Sequence, residues 1–296
     1  MSSAFMEAPM TFAEQQDTSK SAGELSEAMR EMAAAVSDEE LFESLCVEPD
    51  KKDKIQKQLE KGEYLFAPER IKVKEGAADK VFELLIDAFK EHLSEKTEDW
   101  EKLGQAYRSG QIPADKLLEA TLRHRWDALQ GWAQKFSLDI DALQFFSLYL
   151  ARPFRQQAAE LLLDRTQLSA WQKGFCPVCG HNPVLGRMIG APGRRRLWCC
   201  CCNTSWVFAR IGCPFCGNQS QDQLGYLTVE EFASYRIYVC DNCKRYLKTV
   251  VHPEESDKDD WDYEREYFSA VALDPIAIRE GYIAEPVWLA RCEQPA

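Results

Sequence analysis

Cys176-Pro-Val-Cys179-Gly180 and Cys213-Pro-Phe-Cys216-Gly217 carry one five-residue pattern, and Cys199-Cys-Cys-Cys202-Asn203 and Cys240-Asp-Asn-Cys243-Lys244 repeat its spacing. Two residues between cysteines let both sulfurs reach one ion from a tight turn, and two such turns supply the four ligands of a tetrahedral site. Proline presets one backbone angle, and glycine takes the positive φ that turns amides towards sulfur. The expected ligands are therefore Cys176, Cys179, Cys199 and Cys202 for one ion and Cys213, Cys216, Cys240 and Cys243 for a second. Pairing the knuckles in sequence closes the shortest loops. Soft thiolates select zinc or iron over magnesium or calcium.

Working outward, the two halves each read knuckle, hairpin, knuckle, an internal duplication that places one metal ribbon over 174–210 and a second over 211–252. Alternation at Tyr235, Ile237 and Val239 marks hairpin strands. Asn203 and Lys244 stand where a knuckle favours glycine; asparagine tolerates that backbone, lysine less so. Cys200 and Cys201 lie inside a turn and read as spare thiols, as do the isolated Cys46 and Cys292.

Before the knuckles the pattern is helical. Val81, Leu85, Ala88, Phe89 and His92 recur at helical spacing between 77 and 93, and Leu118, Leu122, Leu129, Trp132, Ala133 and Phe136 form a stripe on what reads as one helix starting near Asp115. Ile140 to Leu150 continues the trend, and Pro153 predicts a break or kink. Residues 41–173 are thus expected as a helical domain, and 1–40, which lack sustained periodicity, as a disordered leader. After His252, an acidic linker leads to one C-terminal helix over Phe268–Tyr282, interrupted by Pro275 and packed back on the protein. The fold class is multidomain α+β: an all-helical N-terminal domain, two tandem metal-ribbon modules and a C-terminal helix.

Charge separates along the same boundary. The chain carries a formal −12, yet 174–252 hold nine Lys or Arg against four Asp or Glu, so a basic island sits in an acidic protein. Four thiolates around a divalent ion leave a net −2 that nearby donors and arginines offset, which explains the island. Arg194, Arg195 and Arg196 on a hairpin tip offer an alternative as a nucleic-acid-binding zinc ribbon, but the acidic remainder opposes it. The start of the chain lacks the basic residues and apolar run of a signal peptide, and no segment is long and apolar enough to span a bilayer, so a cytoplasmic chain without membrane insertion is expected. That also favours metal over disulfides for the cysteines.

No catalytic constellation is present. His92, His124, His181 and His252 are scattered, with no zinc-protease, phosphate-loop or nucleophile-elbow motif, so the chain reads as a non-enzyme. His181 reads as a surface turn residue. Trp206 and Tyr246 are expected to cover their ribbons, and Trp126, Trp132 and Phe136 to join the helical core.

Taken together in order, Cys176-Pro-Val-Cys179-Gly-His-Asn-Pro183, Arg196-Leu-Trp-Cys199-x-x-Cys202-x-x-x-Trp206, Cys213-Pro-x-Cys216-Gly and Cys240-x-x-Cys243-x-x-Tyr246-Leu-Lys248 resemble the formate dehydrogenase accessory protein FdhE family. The likeness extends to Ala151-Arg-Pro-Phe154 and Glu280-Gly-Tyr282 and fades before about residue 75. It implies a helical domain joined to two rubredoxin-like modules, iron as the favoured metal with zinc as the other candidate, and a cytoplasmic role in maturing formate dehydrogenase by binding its catalytic subunit without turnover. The eight knuckle cysteines match the family's pairs, whereas Cys200 and Cys201 depart from the pattern. An independent rubredoxin-like electron carrier is the remaining alternative.

Overall fold

A computed structural model describes Ser26, Met29 and residues 41–45, 51–68, 71–93, 96–163, 168, 171–190, 193–252 and 261–284. The expected leader over 1–40 lies outside these residues except at Ser26 and Met29, which are helical and buried. Cys46, Cys292 and the acidic linker from 253 to 260 also lie outside them.

The N-terminal part is built on helices α1 (Lys51–Glu60), α2 (Ala77–His92), α3 (Thr97–Arg108), α4 (Ala114–Leu122), α5 (Trp126–Phe136) and α6 (Ile140–Leu162). Helix α2 forms where the apolar spacing placed it, burying Val81, Phe82, Leu85 and Phe89. Phe89 meets Trp100 edge-on at 5.1 Å and Phe146 at 5.5 Å, so aromatic rings from α2, α3 and α6 interlock at the centre. The part is not all-helical. Strands β1 (Phe42–Leu45) and β2 (Ile71–Val73) form a two-stranded antiparallel sheet whose residues are too few and too far apart in sequence to show a local pattern.

Two helix boundaries also differ from expectation. The stripe starting near Asp115 is two helices, because His124 adopts a left-handed conformation (φ 53°). Arg125 N–H donates to the Ala120 carbonyl at 2.7 Å and His124 N–H to Thr121 at 3.3 Å, the paired bonds of a Schellman ending with histidine where glycine is usual. Pro153, by contrast, does not end α6, which runs on to Leu162. Leu150, Ala151, Phe154 and Ala158 around it are fully buried, and that packing outweighs the roughly 3 kcal/mol cost of an interior proline.

Six strands follow: β3 (Leu185–Ile189), β4 (Arg194–Trp198), β5 (Ser205–Phe208), β6 (Leu224–Leu227), β7 (Tyr235–Cys240) and β8 (Arg245–His252). Each duplicated half contributes three antiparallel strands, and the halves fuse into one sheet of order β5-β4-β3-β8-β7-β6. The seam is a parallel pairing of β3 with β8, from Gly186 opposite Thr249 to Ile189 opposite His252. The first strand of one half thus meets the third strand of the other, so the repeat propagates head to tail.

The C-terminal segment is two short helices, α7 (Tyr263–Ser269) and α8 (Asp274–Arg279), joined by a 3-10 turn at Val271–Leu273. The single helix over Phe268–Tyr282 is corrected: it begins earlier, at the Asp262 cap whose carboxylate accepts from Arg265 N–H, and Pro275 starts α8 rather than interrupting it. Ala270, Leu273 and Ala277 pack on Ile237, Val239 and Tyr246 of the second half, whereas Ile278 stays exposed. A bidentate ion pair between Arg152 on α6 and Glu264 on α7, nearly closed to solvent, ties this segment to the helical part. No helix among the described residues is long and apolar enough to cross a membrane.

Candidate metal centres

The sulfurs of Cys176, Cys179, Cys199 and Cys202 converge, as do those of Cys213, Cys216, Cys240 and Cys243, each set lying within 4.8 Å. In the first, Cys176–Cys202, Cys179–Cys199 and Cys179–Cys202 are 3.4, 3.5 and 3.5 Å apart. In the second, Cys213–Cys243 is 3.6 Å and Cys216–Cys240 3.7 Å. Disulfides need about 2.05 Å. A tetrahedral ion with metal–sulfur bonds of about 2.3 Å sets sulfurs about 3.8 Å apart, so both groups have the size to hold one ion each. The knuckles are paired in chain order, and Cys200 and Cys201 fall outside both groups.

The four turns share one backbone design. The residue after the second cysteine of each knuckle, Gly180, Asn203, Gly217 and Lys244, has φ of 75°, 57°, 74° and 56°. The left-handed position is therefore filled by the two glycines and, at a steric cost, by Asn203 and Lys244. The first cysteine donates its N–H five residues on, Cys176 to His181 at 2.8 Å, Cys199 to Thr204 at 3.0 Å and Cys213 to Asn218 at 2.9 Å; Cys240 is paired with Arg245 at the same separation. Short polar groups reach the sulfurs: the Thr204 hydroxyl lies 3.2 Å from Cys202, and the Asn242 amide donates to Cys216 at 3.5 Å.

Burial pushes the Cys176, Cys179 and Cys199 thiols well up, because thiolates crowded away from water are costly. In the second group the hydrogen bond between Cys213 and Cys243 raises the first and lowers the second to about 5, so the two share a proton. A divalent ion held by either group would replace those protons and neutralise two of the four thiolate charges.

The two centres differ in access. All four sulfur-bearing residues of the first are buried, whereas Cys216 is exposed and Cys243 half-buried in the second. The helical part seals the first centre: Leu65 and Phe66 N–H groups donate to the Pro177 and Val178 carbonyls at 2.9 and 2.8 Å, and a β-carbon on Gly180 would sit 2.9 Å from the Tyr64 ring. Sequence reasoning missed this clamp, since nothing local to 64–66 signals it.

His181 is not a surface residue. It is fully buried, its Nδ1 3.1 Å from the Cys179 carbonyl and its ring 5.1 Å from that of His124. The knuckle turns it inward against α4, whose Thr121 carbonyl accepts from Arg155 at 3.0 Å. The three arginines of β4 also separate: Arg194 is exposed, Arg195 buried and Arg196 half-buried, as strand alternation dictates, so they offer no continuous phosphate grip. Trp206 and Tyr246 are buried over their ribbons as expected. Trp126, Trp132 and Phe136 pack partly buried against the helical core.

A protein of Rhizobium meliloti (strain 1021) named Protein FdhE homolog is 39% identical over 111 residues, 35% of this chain and 36% of its own length. A Protein FdhE homolog of Aquifex aeolicus (strain VF5) is 31% identical over 113 residues, 37% of this chain and 39% of its own. The crystal structure of the FdhE protein from Pseudomonas aeruginosa superposes with a TM-score of 0.57 at 20% identity, covering 96% of this chain and 98% of that one. The chain is similar to FdhE proteins in sequence and in fold. The matched stretch spans little more than a third of either curated FdhE relative's length, and the FdhE crystal structure, at its low identity, speaks for the fold alone. No protein-family profile matches the chain.

Proposed function

We propose that this chain is a maturation accessory of formate dehydrogenase, a non-catalytic cytoplasmic protein that binds the enzyme's catalytic subunit and carries two tetrathiolate metal ions. The observation that carries the reading is the pair of four-sulfur groups in one fused sheet, in a chain similar to FdhE proteins. Cys176, Cys179, Cys199 and Cys202 ligate the first ion; Cys213, Cys216, Cys240 and Cys243 ligate the second.

The centres divide the work by accessibility. The first, buried against the helical part, acts as a structural node. The second, with Cys216 at the surface, is the one a partner can approach. With iron, the favoured metal, it can pass one electron to or from a bound client and protect its reduced site; with zinc, it can only shape the docking surface.

Pull-down of the native protein from its host under anaerobic conditions tests the reading. It predicts recovery of the formate dehydrogenase catalytic subunit, and loss of that recovery when Cys213 and Cys216 are both changed to serine. Recovery of no formate dehydrogenase component from metal-replete protein contradicts it. Iron–thiolate absorption in the same preparation supports the redox role, and stoichiometric zinc without it leaves docking.

A further inference from the structure

A cleft of about 270 Å³ opens beside the second centre, between the 210–215 connector and strands β6 and β7. Three arginines line it, Arg195, Arg210 and Arg245, and no aspartate or glutamate does. Its rim is apolar and open: Tyr226 and Ile211 are 51% and 49% exposed, with Phe215 behind them.

Arg195 is the feature that calls for a ligand. Its side chain is 3% exposed and held between the Phe208 and Tyr238 rings, 5.7 and 5.3 Å from their centroids. One guanidinium nitrogen donates to the Gly212 carbonyl at 2.8 Å, but Nε has no partner and no carboxylate pairs with the group among the described residues. Burial lowers its pKa only to about 10, so it remains a cation at neutral pH. The charge of the second centre, felt through Cys213, offsets part of this cation, and the guanidinium edge left without a partner at Nε matches a carboxylate with two parallel donors.

We infer that this cleft is a docking site for an acidic polypeptide segment, taking an aspartate or glutamate carboxylate against Arg195 and Arg210 and an adjoining apolar side chain against Tyr226 and Ile211. The volume lies below the roughly 300–1,000 Å³ of pockets for whole small molecules, which fits one or two side chains of a longer segment. A nucleic-acid strand is a poorer match, because the deepest arginine is buried and the β4 arginines form no continuous exposed row for successive phosphates. The inference goes beyond the maturation role and does not depend on it, since it concerns the chemistry of the segment and not the identity of its owner.

The test is fluorescence anisotropy with the full, metal-loaded chain and octapeptides of Gly and Ser carrying a neutral dye and a central Glu-Phe, Gln-Phe or Glu-Ser. The Glu-Phe peptide should bind at least tenfold more tightly than the Gln-Phe peptide and several-fold more tightly than the Glu-Ser peptide. Arg210→Glu should weaken it at least tenfold and Tyr226→Ala several-fold; both side chains are exposed, so neither change disturbs the core. Equal binding of Glu-Phe and Gln-Phe, no binding of any peptide, or indifference to Arg210→Glu would overturn the inference. A failed peptide test leaves the pull-down result standing, so the two readings fail separately.

Discussion

Gly174 lies directly against Pro214: a β-carbon at Gly174 would stand 1.9 Å from the Pro214 carbonyl oxygen. The lead-in to the first knuckle thus touches the backbone of the second, and Trp206 Nε1 fixes the same lead-in by donating to the Lys173 carbonyl at 3.0 Å. Gly174→Ala must move one backbone away from the other. It should destabilise the protein by about 1–3 kcal/mol, the usual cost of overpacking, and lower the metal content of the more open second centre. Thermal unfolding with metal analysis reads both; an unchanged midpoint would show that the contact is not tight.

Arg152 and Glu264 form a buried ion pair, their side chains 6% and 10% exposed. Removing either partner leaves the other charge buried and unpaired, so Arg152→Met or Glu264→Gln should each cost about 3–5 kcal/mol. The double variant should recover much of that. Limited proteolysis should cut after residue 252 faster in the single variants than in the double, because this pair joins α7 to α6.

Access to the two centres predicts the order of metal loss. A chelator should remove one ion quickly from the second group, where Cys216 is exposed, and one slowly from the first, where all four cysteines are buried. Cys216→Ser should abolish the fast phase and leave the slow one. A single phase for both ions would contradict the assignment.

His124 couples stability to pH. Burial, with the Arg155 charge beside it, lowers its pKa to about 4 from an ordinary 6.5. The folded state therefore prefers neutral imidazole, and below pH 6.5 the unfolded chain takes up the proton first. This contribution is complete above pH 6.5 and is lost as pH falls towards 4, on the order of 3 kcal/mol in all. His124→Asn keeps a residue that tolerates the left-handed turn and should flatten the slope of stability between pH 6.5 and 4 relative to the parent. Equal slopes would place the histidine elsewhere.

What could be read in the sequence was what local chemistry encodes. The cysteine spacing marks the knuckles because each turn is built within five residues, and the apolar stripe of α2 is a property of one helix. His124 hid a helix ending because histidine carries no turn signal of the kind glycine does. Asp262 caps α7 six residues ahead of Phe268, where the apolar run begins. The β3–β8 seam, the Leu65–Phe66 clamp and the burial of His181 are pairings between distant segments, and no periodicity within either segment records its partner. Arg194-Arg195-Arg196 reads as a hairpin tip but lies within β4, because three identical residues carry no alternation; which arginine turns inward depends on the sheet around it.

Eight thiolates in two groups are the proposed ligands of two ions. X-ray absorption of the purified, metal-replete protein, with metal and protein quantified on the same sample, tests this most directly. Two ions per chain, each with four sulfur neighbours at about 2.3 Å and no nitrogen or oxygen ligand, is the predicted result. One ion or fewer per chain, or a mixed nitrogen and sulfur shell, would contradict it.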